Sequence, residues 1–177
     1  MDEKILERAN ESGSIRVFDI NGVKSLVLVD SSFLFYMFER PDKLKEFFYV
    51  MKKHPYRFGL TSFNLEEIFF VYEKKKVSPE IRREFRSFFK LGPMIAVVDV
   101  PVSPGSADPE KKFVEFFDPE ILKLCRDISD AVLVGTAIHT LSDILTKDKH
   151  HIFTTVLENY VESSYDVEIY KDFELFR

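Results

Sequence analysis

Two short stretches of uninterrupted apolar residues restrict the fold of this chain more than any other feature. Residues 26–29 and 94–98 contain no polar side chain, whereas a strand with one face in water alternates apolar and polar residues. Both stretches therefore predict strands that are buried on both faces. That burial is typical of a parallel sheet with helices packed on each side.

Segments with helical spacing alternate with these and other short strands. The prolines and the glycine at residues 101–110 predict an irregular loop, and Asn64 is expected to cap the helix that follows it. The alternation predicts an α/β domain with a parallel sheet. The further strands are expected at 57–61, 144–146 and 167–170, and the helices at 32–38, 41–51, 64–76, 78–91, 118–127, 129–141 and 149–163.

The N-terminal residues predict an extension to this domain. Residues 2–11 suit a short charged helix, and residues 15–20 alternate like a strand. Asn21 and Gly22 then signal a tight turn, which would bring residues 15–20 back against the start of the next segment in a short pairing. We expect residues 1–24 to form the extension and residues 25–177 the main domain.

Composition limits the class of protein. A chain of 177 residues has room for one domain with a sizeable core. The single cysteine, Cys125, allows no internal disulfide, and no apolar stretch reaches membrane-spanning length. We therefore expect a cytoplasmic protein with no membrane contact. The net charge of −5 argues mildly against nucleic-acid binding, although a metal-binding cluster of carboxylates would add negative charge by itself.

Acidic residues follow the predicted strands. Asp30 and Asp148 come just after two of them, while Glu67 and Asp130 lie in the first turns of neighbouring helices. In such sheets the ligand site lies at the carboxyl ends of the strands. Carboxylates gathered there repel one another unless a divalent cation neutralises them, and ligands that are all oxygen suit Mg²⁺ or Mn²⁺. Neither a zinc-type Cys/His spacing nor a glycine-rich phosphate loop is present.

Four segments resemble the motifs of PIN domains, in the order of that family. Residues 27–34 (Val-Leu-Val-Asp-Ser-Ser-Phe-Leu) resemble the opening motif, and residues 61–68 (Thr-Ser-Phe-Asn-Leu-Glu-Glu-Ile) resemble the second. Residues 129–137 (Ser-Asp-Ala-Val-Leu-Val-Gly-Thr-Ala) are the most similar segment. Residues 145–148 (Leu-Thr-Lys-Asp) are similar to the fourth motif. Each motif alone is weak, whereas the four in order are fairly specific.

The resemblance implies both a fold and an activity. It implies a Rossmann-like, three-layer α/β/α domain whose five-stranded parallel sheet has the order 3-2-1-4-5. It also implies a Mg²⁺- or Mn²⁺-dependent endoribonuclease with Asp30, Glu67, Asp130 and Asp148 as catalytic and metal-binding residues. Many members are toxins of the VapC type and others process RNA. The implied partners are RNA, an antitoxin protein in the toxin case, and a second copy of the chain as a homodimer.

Several of these residues have a simpler interpretation. Asp30 could cap the helix after it, and Asp148 could be an ordinary turn residue. Glu66 competes with Glu67, which the family spacing favours. Asp127 is a rival or an auxiliary of Asp130. The hydroxyls of Ser31 and Thr146 could orient a carboxylate or cap locally, and these two residues with Asp127 are the predicted supporting residues.

Basic residues suggest where RNA would lie. Arg82, Arg86 and Lys90 recur every four residues and form one stripe on a predicted helix, opposite its Phe face. Such a stripe is commonly just a solvated face, and the alternative is an edge that contacts phosphates. His150 and His151 are interpreted as surface residues at a helix start.

Two further expectations concern function. The main alternative is a catalytically inactive PIN-fold module that binds RNA or a protein partner. A phosphatase with an aspartate nucleophile is disfavoured, because Ser32 stands where such enzymes need a second aspartate. The extra N-terminal residues and the insertion at 101–117 depart from a compact VapC toxin.

Finally, we expect Asp148→Asn to leave the metal-free protein at least as stable as the wild type, because one repelling charge is removed.

Overall fold

A computed structural model describes residues 15–74, 77–91 and 95–176. The helix expected at residues 2–11 lies outside this part of the chain. None of the helices within it combines the length and the apolar character that crossing a lipid bilayer requires.

The described residues form one parallel sheet of six strands in the order β1-β4-β3-β2-β5-β6. Counted from β2, the last five strands of the chain have the spatial order 3-2-1-4-5, which confirms the predicted topology. Every residue of β2 and the first four residues of β4 are buried, as the uninterrupted apolar stretches require. The strands are β1 (Ile15–Asp19), β2 (Val27–Val29), β3 (Phe58–Thr61), β4 (Ile95–Asp99), β5 (Asp143–Leu145) and β6 (Ile169–Tyr170).

Strand β1 is the sixth strand, and its position corrects the expected hairpin. Asn21 and Gly22 do lie in a tight turn, in which the Gly22 N–H donates to the Asp19 carbonyl at 2.8 Å. However, β1 pairs in parallel with β4, from Ile15 beside Ile95 onward. The central strand β2 already has β3 and β5 on its two edges. β1 instead extends the sheet along the outer edge of β4.

Helices cover both faces of the sheet and give three layers. One face carries α1 (Ser31–Phe38), α2 (Pro41–Lys53), α3 (Ser62–Lys74), α4 (Pro79–Leu91) and a 3₁₀ turn (Phe173–Phe176). The opposite face carries α5 (Ala107–Phe117), α6 (Ile121–Leu124), α7 (Ile128–Thr140) and α8 (Thr155–Tyr165). The fold is therefore the predicted three-layer α/β/α architecture.

Phenylalanine rings fill much of the first layer. Phe47 contacts Phe33 and Phe58 edge-to-face with ring centroids 5.4 Å apart in both pairs, and Phe173 lies 5.2 Å from the same ring. Such pairs add roughly 0.5–1.5 kcal/mol each to the stabilisation from burial alone. These contacts pack the 3₁₀ turn against α1, α2 and β3.

Helix α5 corrects part of the expected irregular loop, because residues 101–106 are irregular whereas the helix begins at Ala107. It occupies most of residues 101–117 because Pro109 falls in its first turn, where a proline N–H is not needed. The buried Glu110 carboxylate accepts the backbone N–H groups of Gly105 and Ser106 at 2.7 and 3.2 Å. The proline-rich sequence therefore marks a helix start, and the helix expected at 118–127 shrinks to the single turn of α6.

Two other helix starts differ from expectation. Helix α3 begins at Ser62, and the hydroxyl of Thr61 accepts the Asn64 N–H at 2.9 Å, so Thr61 takes the capping role expected of Asn64. Residues 149–153 form turns, and α8 begins after Thr154, whose hydroxyl accepts the Leu157 N–H. Both differences matter because they determine which side chains lie near the carboxyl ends of the strands.

Candidate metal centre

A polar cleft of about 350 Å³ opens at the carboxyl ends of β2, β3 and β5. It gathers acidic side chains from the strand ends, from the second turn of α3 and from the first turn of α7. Glu67 lies one turn later than expected because α3 begins at Ser62. All four predicted site carboxylates line it, together with residues that the sequence did not mark as site residues. The lining consists of Asp30, Ser31, Ser32, Phe35, Glu67, Asp127, Ser129, Asp130, Asp148 and His151.

Asp30 is the most deeply buried of the four carboxylates, with 2% of its surface exposed. The Thr146 hydroxyl donates to its Oδ2 at 2.8 Å, and the Ser32 hydroxyl donates to the same oxygen. The Ser31 hydroxyl lies 3.4 Å from Oδ1. Although Asp30 precedes α1, its carboxylate makes no capping hydrogen bond there. Burial raises the pKa of Asp30, and the hydroxyl donors oppose that rise.

Glu67 is held in the cleft by a short relay of polar groups from the end of β3. The Thr61 hydroxyl donates to the Asn64 side-chain oxygen at 2.6 Å, which leaves the Asn64 amide to donate to Glu67 Oε2 at 3.3 Å. Burial raises the pKa of Glu67 to about 7. Of the adjacent acids Glu66 and Glu67, the structure brings Glu67 to the cleft.

Asp127 and Asp130 enter the cleft from the start of α7. Asp127 caps this helix, because its Oδ1 accepts the N–H groups of Ser129 and Asp130 at 2.9 and 3.3 Å. Burial raises the pKa of Asp130 to about 8, and the negative charges of Asp30, Asp127, Asp148 and Glu67 add to that rise. This mutual repulsion indicates that the carboxylates converge on one point.

Asp148 differs from the other carboxylates because backbone N–H donors stabilise its negative charge. The N–H groups of His150 and His151 both donate to its Oδ1 at 2.7 Å. Burial alone would raise the pKa of Asp148, but these donors outweigh it and the pKa falls below its ordinary value. Asp148 is therefore both the turn residue of the simpler interpretation and a cleft residue.

His151 is the principal cleft residue that the sequence interpretation missed. Its Nδ1 lies 3.2 Å from Asp130 Oδ2 and 3.6 Å from Asp148 Oδ2. The expectation of a surface histidine was wrong for His151, whereas His150 is exposed. The turn at residues 148–151 folds the side chain back over the cleft. A histidine three residues after the motif's aspartate was the available signal.

The predicted RNA-binding stripe lies apart from the cleft lining. Arg82 and Arg86 are exposed on α4, whose buried Phe85 and Phe88 face the core. The side chain of Lys90 lies outside the described part of the chain. The stripe is therefore a solvent-facing surface as far as it is described, and a contact with phosphates stays a prediction.

The donor atoms of the cleft suit a divalent cation. Carboxylate oxygens dominate, and ligand atoms of Asp127, Asp130 and His151 all lie within 4.8 Å of one another. A cation at this position would offset the negative charges that, together with burial, raise the pKa values of Asp130 and Glu67. The residues present therefore fit a metal centre.

Solved structures with a similar fold are known. A DNA-bound VapBC from Salmonella typhimurium contains a chain with 14% identity and a TM-score of 0.53, and the match covers 82% of this chain and 96% of that one. VapBC2 from Rickettsia felis, bound to a promoter DNA fragment, gives 12% identity, a TM-score of 0.55 and coverages of 81% and 96%. At these identities the likeness concerns the fold.

A match to a protein family is more specific than a likeness in fold. No curated protein matches the sequence. The family described as the PIN domain matches residues 27–156, which include β2 to β5 and all four cleft carboxylates discussed above.

Proposed function

The chain belongs to the PIN domain family, and from that premise we propose that it is a metal-dependent endoribonuclease. The observation that carries the proposal is the convergence of Asp30, Glu67, Asp130 and Asp148 in one cleft at the strand ends. Carboxylates that repel one another this strongly are retained where a cation is needed. The reaction is hydrolysis of an RNA phosphodiester bond.

The four carboxylates would hold Mg²⁺ or Mn²⁺. A bound ion of this kind activates a water for attack on phosphorus and neutralises charge on the leaving oxygen. Asp148 is kept ionised by the two backbone N–H groups described above, so it is ready to accept a cation. Asp130 and Glu67 have pKa values of about 8 and about 7, so they release their protons when a cation arrives.

Three supporting residues fix the carboxylates. The Thr146 hydroxyl donates to Asp30 and accepts the Asp148 N–H at 2.9 Å, so a single side chain links two of the four. Ser31 lies beside Asp30, and Asp127 caps the helix that carries Asp130. Such residues orient metal ligands, and Asp127 would also be close enough to contact the ion, since its ligand atom lies within 4.8 Å of those of Asp130 and His151. Their part in catalysis is to keep the oxygens converged.

The substrate surface is a further part of the proposal. Arg82, Arg86 and Lys90 would contact RNA phosphates from α4. The exposure of the two arginines supports this role, since a phosphate contact needs a solvent-facing cation. Residues 25–177 would form the nuclease domain, with residues 1–24 as an extension that lends β1 to the sheet.

A more specific proposal within this activity is that the chain is a toxin of the VapC type. The likeness in fold to chains of two VapBC structures supports it. It implies an antitoxin protein and a second copy of the chain as partners. A neighbouring reading frame for a small DNA-binding protein, and co-purification of its product with this chain, would support the toxin. Without either, RNA processing is the better assignment.

The activity is tested by incubating the purified protein with single-stranded RNA and Mg²⁺ or Mn²⁺. We expect cleavage by the wild type, and its loss in Asp30→Asn and Asp130→Asn. Asp99→Asn is the matched control, because Asp99 also ends a strand but is exposed outside the cleft. Glu67→Gln should lose activity, whereas Glu66→Gln should keep it.

The alternative, an inactive PIN-fold module, makes the opposite prediction. It would bind RNA or a protein without metal-dependent cleavage. No cleavage by wild type with either ion on several RNAs, together with no metal-dependent rise in melting temperature, would favour the module over the nuclease.

A further inference from the structure

We propose that His151 is a nitrogen ligand of the metal centre and makes it select transition-metal ions over Mg²⁺. The inference rests on the proposed function, since it concerns the same cleft. It adds a ligand that neither the four acidic motifs nor the predicted site contains.

The distances around the His151 ring fit ligation. With metal–ligand bonds of roughly 2.1 Å, neighbouring ligand atoms lie roughly 3.0 Å apart around an octahedral ion and roughly 3.4 Å apart around a tetrahedral one. The Nδ1 atom lies 3.2 Å from an Asp130 oxygen and 3.6 Å from an Asp148 oxygen. The ring nitrogen is therefore spaced from each of these oxygens as neighbouring ligands of one ion are, and ligand atoms of Asp127, Asp130 and His151 all lie within 4.8 Å of one another.

The backbone around His151 is fixed, which favours a defined role for the ring. Its N–H donates to Asp148 Oδ1, and the Phe153 N–H donates to the Asp148 carbonyl at 3.0 Å. The next residue, Ile152, is fully buried in the core. Residues on both sides of His151 are thus anchored, and its ring is directed over the cleft.

Nitrogen ligation has a consequence for metal choice. Mg²⁺ takes oxygen ligands and retains water, whereas imidazole suits later transition-metal ions such as Co²⁺ and Zn²⁺. An all-carboxylate centre would bind these ions through oxygen alone. The His151 ring adds affinity for the later ions and little for Mg²⁺.

A different role for His151 predicts the opposite effect of its removal. As a cation paired with Asp130 and Asp148, the ring would offset their repulsion in the absence of metal and compete with any divalent ion. Its loss would then raise the affinity for Mg²⁺ and Co²⁺ alike. As a ligand, its loss lowers the affinity for Co²⁺ selectively.

The test is metal titration of the wild type, His151→Ala and His150→Ala. Co²⁺ binding is followed by visible absorption, which responds to nitrogen ligation, and Mg²⁺ binding by calorimetry. His150→Ala is the matched control, because His150 is exposed and its N–H donates to the same Asp148 oxygen. Metal-free melting curves establish that each variant is folded.

We expect His151→Ala to lower Co²⁺ affinity by about tenfold or more, the lower limit for loss of a residue that orients a ligand. Its visible spectrum should change, while Mg²⁺ affinity and both affinities of His150→Ala stay unchanged. Equal effects on the two ions, or a gain for both, would overturn the ligand role and leave the metal centre standing. Failure of the wild type to bind either ion would remove the proposed function as well. His151→Gln, which has no ring nitrogen, should also lose the Co²⁺ preference, and its retention would refute the proposal even if His151→Ala misfolds.

Discussion

Neutralising Asp130 should stabilise the metal-free protein, although Asp130 is a proposed ligand. Its side chain is 19% exposed, and its pKa rises from 3.8 to about 8. The folded protein therefore binds this proton more tightly than the unfolded chain. Stability is greatest below pH 3.8, falls as the pH rises toward 8, and is constant above it. Each pH unit in that window corresponds to about 1.4 kcal/mol, which gives an upper limit of about 6 kcal/mol.

The measured gain for Asp130→Asn should be smaller than this limit. Water screens the exposed part of the carboxylate, and the variant also loses its contact with His151. We expect about 1–2 kcal/mol near pH 8, in the range typical for removal of an unfavourable functional group. For a chain of this size that is a rise in melting temperature of about 2–8 °C.

The assay is a melting series of wild type, Asp130→Asn and Asp99→Asn between pH 5 and 9, with and without millimolar Mn²⁺. Without metal, the advantage of Asp130→Asn over wild type should grow with pH up to about 8. With metal, wild type should gain about 2.7 kcal/mol once the ion exceeds its dissociation constant a hundredfold, and Asp130→Asn should gain little. A metal-free Asp130→Asn that is no more stable than wild type at any pH would refute the electrostatic argument.

Three further outcomes are expected. Asp148→Asn should lower metal-free stability by about 1–3 kcal/mol in thermal melts, because the neutral oxygen binds the two backbone N–H groups more weakly; a gain would contradict the structure. This reverses the expectation drawn from the sequence, which counted only the repulsion. Thr146→Val should reduce cleavage by about 10–100-fold, because it removes the donor that orients the most buried carboxylate; unchanged cleavage in a folded variant would exclude that role. Arg82→Ala should weaken binding to single-stranded RNA and reduce the salt slope by about 0.7, measured by fluorescence anisotropy. Lys112→Ala, exposed on the opposite helical layer, should leave both unchanged, and equal effects of the two variants would argue against a specific phosphate contact.

The parallel sheet was predictable because burial on both faces leaves a simple mark on the sequence, whereas the strand order 3-2-1-4-5 was implied by the resemblance to PIN domains. Residues 27–29 and 95–98 carry that mark, and the alternating helices restrict how parallel strands connect. The position of β1 was not predictable in the same way. Residues 15–19 alternate as an edge strand should, but the alternation does not say which edge is open. That depends on the whole sheet, in which β1 pairs with β4 and not with β6 at the opposite edge.

The site was predictable to the extent that its residues follow strand ends. Asp30 and Asp148 are placed by β2 and β5, whereas the second turn of α3 and the first turn of α7 place Glu67 and Asp130. His151 was missed because its position depends on a turn rather than on a strand or a helix. The Asp148 side chain nucleates this turn by accepting two successive N–H groups, and no hydrophobic periodicity records it.

Asp148 and Asp130 differ in how their surroundings stabilise a negative charge. Backbone N–H groups compensate the charge of Asp148, so it remains ionised at little energetic expense. For Asp130, burial and the negative charges of its neighbours raise the pKa to about 8, which favours the protonated carboxyl group near neutral pH. Without metal, the cleft therefore carries fewer negative charges than its number of carboxyl groups suggests. Because the proton on Asp130 must leave before a cation binds there, metal affinity is coupled to pH through this residue more than through Asp148.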